Sequence, residues 1–124
     1  MEKTLSEDYC SYEVAKLLKE KGFDGEVSAF VEEDNTKYDY TLSGFIKAET
    51  LPCPTHQMAM KWLREECDLH IIAYPYNANG KKKWCCQVYK AFNLLGNEKY
   101  VNETLDSYEE AVEAALKYCL TNQI

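Results

Sequence analysis

Two cysteine–histidine pairs have the spacing that most resembles a chemical site in this sequence. Cys53 and His56 are spaced C-x-x-H, and Cys67 and His70 repeat that spacing. Such pairs supply zinc ligands in many small domains. The segment between them, PTHQMAMKWLREE (54–66), has a helix-start signal and helical spacing. A helix here would hold the two pairs about 16 Å apart at ~1.5 Å per residue. They could not share one ion, so we expect no metal site.

Other catalytic chemistry has little support in the sequence. There are two histidines and five glycines, and no G-x-S-x-G, phosphate-binding glycine loop or H-E-x-x-H occurs. A thiol nucleophile at Cys53 or Cys86 is the remaining enzymatic alternative. Nothing in the sequence places an orienting acid or an oxyanion hole beside either thiol. We therefore expect a protein without catalytic residues or cofactor.

Charge and composition limit the partners. The net charge of −7 argues against nucleic acid as the main partner, because phosphate binding needs clustered basic residues. The basic run 81–83 follows Asn79-Gly80, a hairpin-turn signal, and is interpreted as a solvated hairpin tip. The first ten residues contain no apolar signal region, and no apolar run is long enough for a membrane span. We expect a cytoplasmic protein whose six cysteines are thiols.

Three amphipathic helices are predicted. The first extends from Ser11 to about Lys21, before Gly22, and the second from Thr55 to about Cys67. The third begins at SYEE (107–110), a capping box of the form S-x-x-E.

Strand-like segments lie between the helices. Segments 26–32 and 38–46 form one predicted hairpin, segments 69–76 and 84–92 form a second, and 98–101 is a candidate edge strand. The predicted fold is α+β, of order α-β-β-α-β-β-(β)-α and within one domain, 1–124. It has an antiparallel sheet of four or five strands, and the three helices pack mainly on one face of it.

The second helix presents an apolar stripe and one outlying methionine. The predicted core stripe is Met58, Ala59, Trp62 and Leu63. Met60 lies off this stripe, which makes it either a contact residue or a residue covered by the preceding loop.

The second face of the sheet is the better candidate for a contact surface. If Leu69 faces the helices, His70, Tyr74 and Tyr76 face the other way, and Tyr89 follows on the partner strand. Three helices cannot easily cover both faces of a sheet. Tyrosine and histidine are frequent at protein interfaces. An exposed sheet face that binds nothing explains the pattern equally well.

Three segments together resemble a known group of proteins. SYEVAKLLKEKGFD (11–24), PTHQMAMKWLREE (54–66) and DSYEEAVEAALKYCL (106–120) are similar to a family of short uncharacterised proteins from Bacteroides-type gut bacteria, their phages and their mobile elements. The resemblance implies a small cytosolic protein of phage or mobile-element type. It implies no activity and transfers no catalytic residue.

Two functions are compatible with these features. The leading hypothesis is a non-enzymatic accessory protein that acts by protein contact with a host protein or by self-association, through the aromatic sheet face or the edge of the second helix. The alternative is a protein that binds or sequesters a small molecule of the nucleotide type. It would use Trp84, Tyr89 and Lys83 around a pocket at an oligomer interface.

Overall fold

Three helices and six strands make up the described structure. The computed structural model describes residues 8–25, 27, 29–39, 50–90, 93–94 and 105–122. The elements in chain order are α1 (Tyr12–Glu20), β1 (Ala29–Val31), β2 (Lys37–Asp39), β3 (Leu51–Pro52), α2 (His56–Cys67), β4 (Leu69–Ala78), β5 (Lys81–Lys90), β6 (Asn93–Leu94) and α3 (Tyr108–Asn122).

The described strands form two antiparallel sheets. One has the order β2-β1-β3 and the other β4-β5-β6. The α+β class and the three helices are confirmed, whereas the predicted single sheet of four or five strands is not. The third strand, β3, joins the first sheet by pairing with β1, and no described strand of that sheet pairs with β4, β5 or β6. The candidate strand 98–101 lies outside the described residues.

Side-chain caps fix where the helices begin. The side chains of Ser11 and Thr55 each accept a hydrogen bond of 3.2 Å from the backbone N–H three residues further on. Ser107 accepts one of 3.1 Å from the N–H of Glu110, whose carboxylate accepts from the N–H of Asp106. The predicted starts of all three helices are confirmed, because each cap satisfies an N–H that has no partner inside its helix.

The turn Asn79-Gly80 sets the register of the long hairpin. Both residues have positive φ, 52° and 83°, which is the conformation that a two-residue turn needs to match the twist of its strands. The pairing then extends without interruption from Ala78 opposite Lys81 to Leu69 opposite Lys90. The second predicted hairpin is confirmed.

The helices cover one face of this hairpin. Both α2 and α3 pack against β4, and α3 also packs against β5. We define the core face by the residues that pack into or against the core: Leu69, Ile71, Ala73, Trp84, Cys86 and Val88. The outer face is the alternate set: His70, Ile72, Tyr74, Tyr76, Lys83, Cys85, Gln87 and Tyr89. None of the three described helices has the length and apolar composition that a membrane span requires.

The buried stripe of α2 differs from the predicted one. Its buried residues are His56, Ala59, Met60 and Leu63. Met58 is 39% exposed and Met60 only 7%, so the predicted contact role of Met60 is wrong, and Met60 is a core residue. Trp62, predicted to lie in the core, lies at its border, edge-on to Phe23 with ring centroids 5.8 Å apart.

Candidate functional site

Five of the predicted contact residues share the outer face: His70, Tyr74, Tyr76, Lys83 and Tyr89. The rings of His70 and Tyr89 stack with their centroids 5.4 Å apart. Towards the middle and tip of the hairpin, Ile72 is 42% and Tyr76 36% exposed. The structure thus brings together an aromatic surface with an exposed aliphatic residue at its centre.

The structure separates the residues predicted to form a ligand pocket. Trp84 lies on the core face, where its ring meets that of Tyr108 edge-on at 5.7 Å. Tyr89 lies on the opposite face, and Lys83 forms an ion pair with Asp106. That hydrogen bond and the opposite charge raise the pKa of Lys83 and lower that of Asp106. Alternation along β5 places Trp84 on the opposite face from Lys83 and Tyr89, so the three side chains do not surround one pocket within a single chain. The predicted pocket at an oligomer interface stays a prediction.

The hairpin is electrostatically distinct from the rest of the chain. Residues 69–90 contain four of the 14 basic residues and none of the 21 acidic ones. This segment therefore carries +4, and the remainder of the chain carries −11. Two chains that meet through their hairpins avoid the acidic part of the molecule but bring two positively charged segments together.

A second group of polar side chains lies where the three helices meet. Cys10, His56 and Glu113 each offer one donor atom, and these atoms all lie within 4.8 Å of one another. Cys10 precedes the cap of α1, His56 is the first residue of α2, and Glu113 lies on α3.

Backbone pairing holds the first two of these residues side by side. The N–H of Cys10 donates to the carbonyl of Pro54 at 3.0 Å, and the N–H of His56 donates to the carbonyl of Asp8 at 2.8 Å. The segment before α1 therefore runs antiparallel to the segment before α2, and the starts of both helices are brought together.

The carboxylate of Glu113 joins all three helices. Its oxygens accept from the N–H of Ser11 at 2.7 Å and from the hydroxyl of Ser11 at 3.0 Å. The Nε2 of His56 lies 3.1 Å from Oε1 and donates to it. Burial opposes ionisation of Glu113, but these hydrogen bonds from His56 and Ser11 outweigh it and lower its pKa.

His56 and Cys10 lie in the protein interior. His56 is 3% exposed, and its Nδ1 has no hydrogen-bond partner among the described residues. A buried polar atom without a partner costs roughly 1–3 kcal/mol. Cys10 is fully buried, and burial, with the nearby Glu113 charge, raises the pKa of its thiol. The adjacent Cys53 donates from its thiol to the Cys10 carbonyl at 3.1 Å.

An acidic cleft borders two members of this cluster. Its volume is about 650 Å³, and His56 and Glu113 form part of its wall. Its other charged lining residues are Asp8, Glu109, Glu110 and Lys117. Lys117 already forms an ion pair of 3.0 Å with Glu13. The carboxylates outnumber the lysine, so the cleft attracts cations.

Sequence reasoning missed Cys10 and Glu113. His56 was part of a C-x-x-H pair, but in the structure it joins a cysteine and a glutamate that are distant in sequence. The pairs C-x-x-H lie at opposite ends of α2, as predicted. Comparison with known protein families, curated proteins and solved structures finds no match for this chain.

Proposed function

We propose that the protein is a non-enzymatic accessory protein that acts by protein contact and self-associates through the outer face of the β4–β5 hairpin. The observation that supports this most directly is the exposure of Ile72 and Tyr76, 42% and 36%, on the outer face of a hairpin whose own residues include no carboxylate. Apolar and aromatic side chains of this kind form the centres of protein interfaces. The phage or mobile-element context implied by the sequence resemblance belongs to the same proposal.

A second copy of the chain is the occupant that we propose, held by apolar and aromatic contacts that must outweigh the like charges of the two hairpins. The molecule is acidic overall, so most approaches of two copies bring like charges together. The hairpin, residues 69–90, is a long segment that contains no acidic residue. Pairing about a two-fold axis would place each outer face against the same face of the other copy. A basic host protein would instead prefer the acidic surfaces elsewhere on the molecule.

The dimensions of the face predict a weak dimer. Each strand has 10 residues, or about 33 Å at ~3.3 Å per residue, and two strands are only about 5 Å apart. Such a ribbon buries less than the ~800 Å² per partner that stable complexes bury. We therefore expect an association that changes with protein concentration.

Sedimentation equilibrium over a wide concentration range tests this proposal. Ile72→Glu should shift the distribution to monomer, because it places a carboxylate of each copy at the centre of the contact. Met58→Glu is the matched control, since Met58 is similarly exposed but lies on α2. A wild-type chain that stays monomeric at all concentrations, or equal effects of both variants, would refute self-association through this face. Native mass spectrometry of protein purified gently from its host would then show whether a host protein is bound instead.

A hollow at the hairpin tip favours a second candidate, the binding of a small anionic ligand. It has a volume of about 440 Å³, and Tyr76, Lys81 and Lys82 are among its lining residues. An aromatic ring with two cations nearby suits a nucleotide better than the separated Trp84, Tyr89 and Lys83 do. A nucleotide at 100 times its dissociation constant should stabilise the protein by ~2.7 kcal/mol. Thermal unfolding that no nucleotide changes would exclude this candidate.

A further inference from the structure

We propose that Cys10, His56 and Glu113 form a binding site for a divalent transition-metal ion of the zinc class. The site lies where the three helices meet, at the wall of the acidic cleft. It is independent of the outer face and goes beyond the contact function.

The donor types select the metal. A thiolate, an imidazole and a carboxylate together suit zinc and similar ions, whereas magnesium and calcium prefer oxygen ligands alone. In a tetrahedral zinc site, neighbouring donors lie roughly 3.3–3.6 Å apart, given bonds of about 2.0–2.3 Å. The Nε2 of His56 and the Oε1 of Glu113 are already 3.1 Å apart. The three donors all lie within 4.8 Å of one another, so no pair of donors would have to move closer by more than about 1–1.5 Å.

All three residues have hydrogen bonds that do not depend on an ion. Cys10 and His56 are anchored by backbone hydrogen bonds of 3.0 Å and 2.8 Å. Glu113 is oriented by both polar groups of Ser11, at 2.7 Å and 3.0 Å. Hydrogen bonds of this kind around metal ligands orient them and raise affinity. The cluster is therefore positioned before an ion enters.

A simple structural role does not account for two features of the cluster. The first is the thiol of Cys10, because a His56–Glu113 pair alone would be enough to join α2 to α3. The Nδ1 of His56 is buried and has no hydrogen-bond partner among the described residues, so no second acceptor fixes the ring tautomer. The ring proton can therefore move from Nε2 to Nδ1. This change breaks the hydrogen bond from Nε2 to Glu113 and leaves the Nε2 lone pair free to bind an ion.

The same features limit the affinity. Three protein ligands leave one tetrahedral position for water or an anion from the cleft. Nδ1 also lacks the hydrogen-bond acceptor that usually supports a metal-bound histidine. We expect binding that is tighter than adventitious surface binding but weaker than that of closed four-ligand zinc sites.

Cobalt substitution tests the donor set directly. Reduced protein, freed of metal with a chelator, is titrated with Co²⁺ and then with competing Zn²⁺. We expect one ion per chain, a sulfur-to-cobalt charge-transfer absorption in the near ultraviolet, and its loss when zinc is added. Cys10→Ser should abolish this absorption. Cys53→Ser should retain it, although Cys53 is equally buried and contacts Cys10.

A second pair of variants tests the histidine. His56→Gln should weaken cobalt affinity by at least tenfold. His70→Gln should not, although the Nε2 of His70 also lies 3.1 Å from a carboxylate, that of Asp68. If Cys10→Ser does not fold, Glu113→Gln serves in its place, with Glu110→Gln as its control on the same helix. Folded wild-type protein that gives no charge-transfer absorption, or losses that are equal in variant and control, would overturn the proposal.

Discussion

Replacement of Glu113 by glutamine should destabilise the metal-free protein, because one carboxylate connects the starts of two helices to a third. Three donors converge on it: the N–H and hydroxyl of Ser11 and the Nε2 of His56. A hydrogen bond to a charged group contributes about 1.5–3 kcal/mol, so complete loss of three would cost several kcal/mol.

Two effects reduce that sum. The side chain of Glu113 is 21% exposed at the cleft, so water can replace part of the lost bonding. Glutamine also keeps one acceptor oxygen, although its amide group turns a donor towards Ser11 or His56. We therefore expect Glu113→Gln to lower the free energy of unfolding by about 2 kcal/mol, which for a chain of this length is roughly 6–10 °C in Tm.

Urea unfolding in the presence of a chelator, followed by circular dichroism, measures this change. Glu110→Gln is the control. Glu110 lies on the same helix but is exposed, and among the described residues its carboxylate accepts one hydrogen bond, from the N–H of Asp106. Its loss should cost less than about 1 kcal/mol. A double-mutant cycle with His56→Gln should give a coupling of about 1 kcal/mol. Equal losses at Glu113 and Glu110, or no coupling, would show that water bonds the three donors as well as the carboxylate does.

Three further outcomes are expected. Gly80→Ala should cost about 1 kcal/mol in thermal unfolding, because φ is +83° at that position. Iodoacetamide at neutral pH should label the partly exposed Cys85 well before Cys119, because burial raises the pKa of the Cys119 thiol to about 12. Mass spectrometry of the digested protein measures the labelling of each cysteine, and equal labelling of the two would contradict the burial of Cys119. The carboxyl of Asp106 should titrate below the ordinary aspartate range by NMR, and Lys83→Met should raise its pKa. The ion pair contributes its full stabilisation at pH values above the ordinary aspartate pKa, and this contribution is lost as the pH falls through the lowered pKa of Asp106.

The sequence predicts the elements whose causes are local. Ser11, Thr55 and the S-x-x-E box mark helix starts because a short polar side chain can satisfy an N–H three residues on. Asn79-Gly80 marks a turn because both residues tolerate positive φ. Alternation along β4 likewise places His70, Tyr74 and Tyr76 on one face, as expected.

The rotation of α2 could not be obtained in this way. Two overlapping stripes both contain Ala59 and Leu63, and they differ in whether Met58 or Met60 is buried. The predicted stripe is the one that contains Trp62, and it is the wrong stripe. The ring of Trp62 lies half-buried at the border of the core, against Phe23. In the observed rotation His56 faces Glu113 on α3, and helix periodicity contains no information about that partner.

The cluster of Cys10, His56 and Glu113 shows the same limit more strongly. Each residue alone has an ordinary explanation: a buried thiol, a histidine in the first turn of a helix, and an acid on an amphipathic helix. Their chemistry depends on tertiary contact between segments that are distant in the chain. Cys10 and His56 are 46 residues apart, and His56 and Glu113 are 57 residues apart. The C-x-x-H spacing pointed to His56 but to the wrong sulfur, because Cys53 directs its thiol to the Cys10 carbonyl. A local motif can therefore identify one ligand of a site whose other ligands only the packing of the helices supplies.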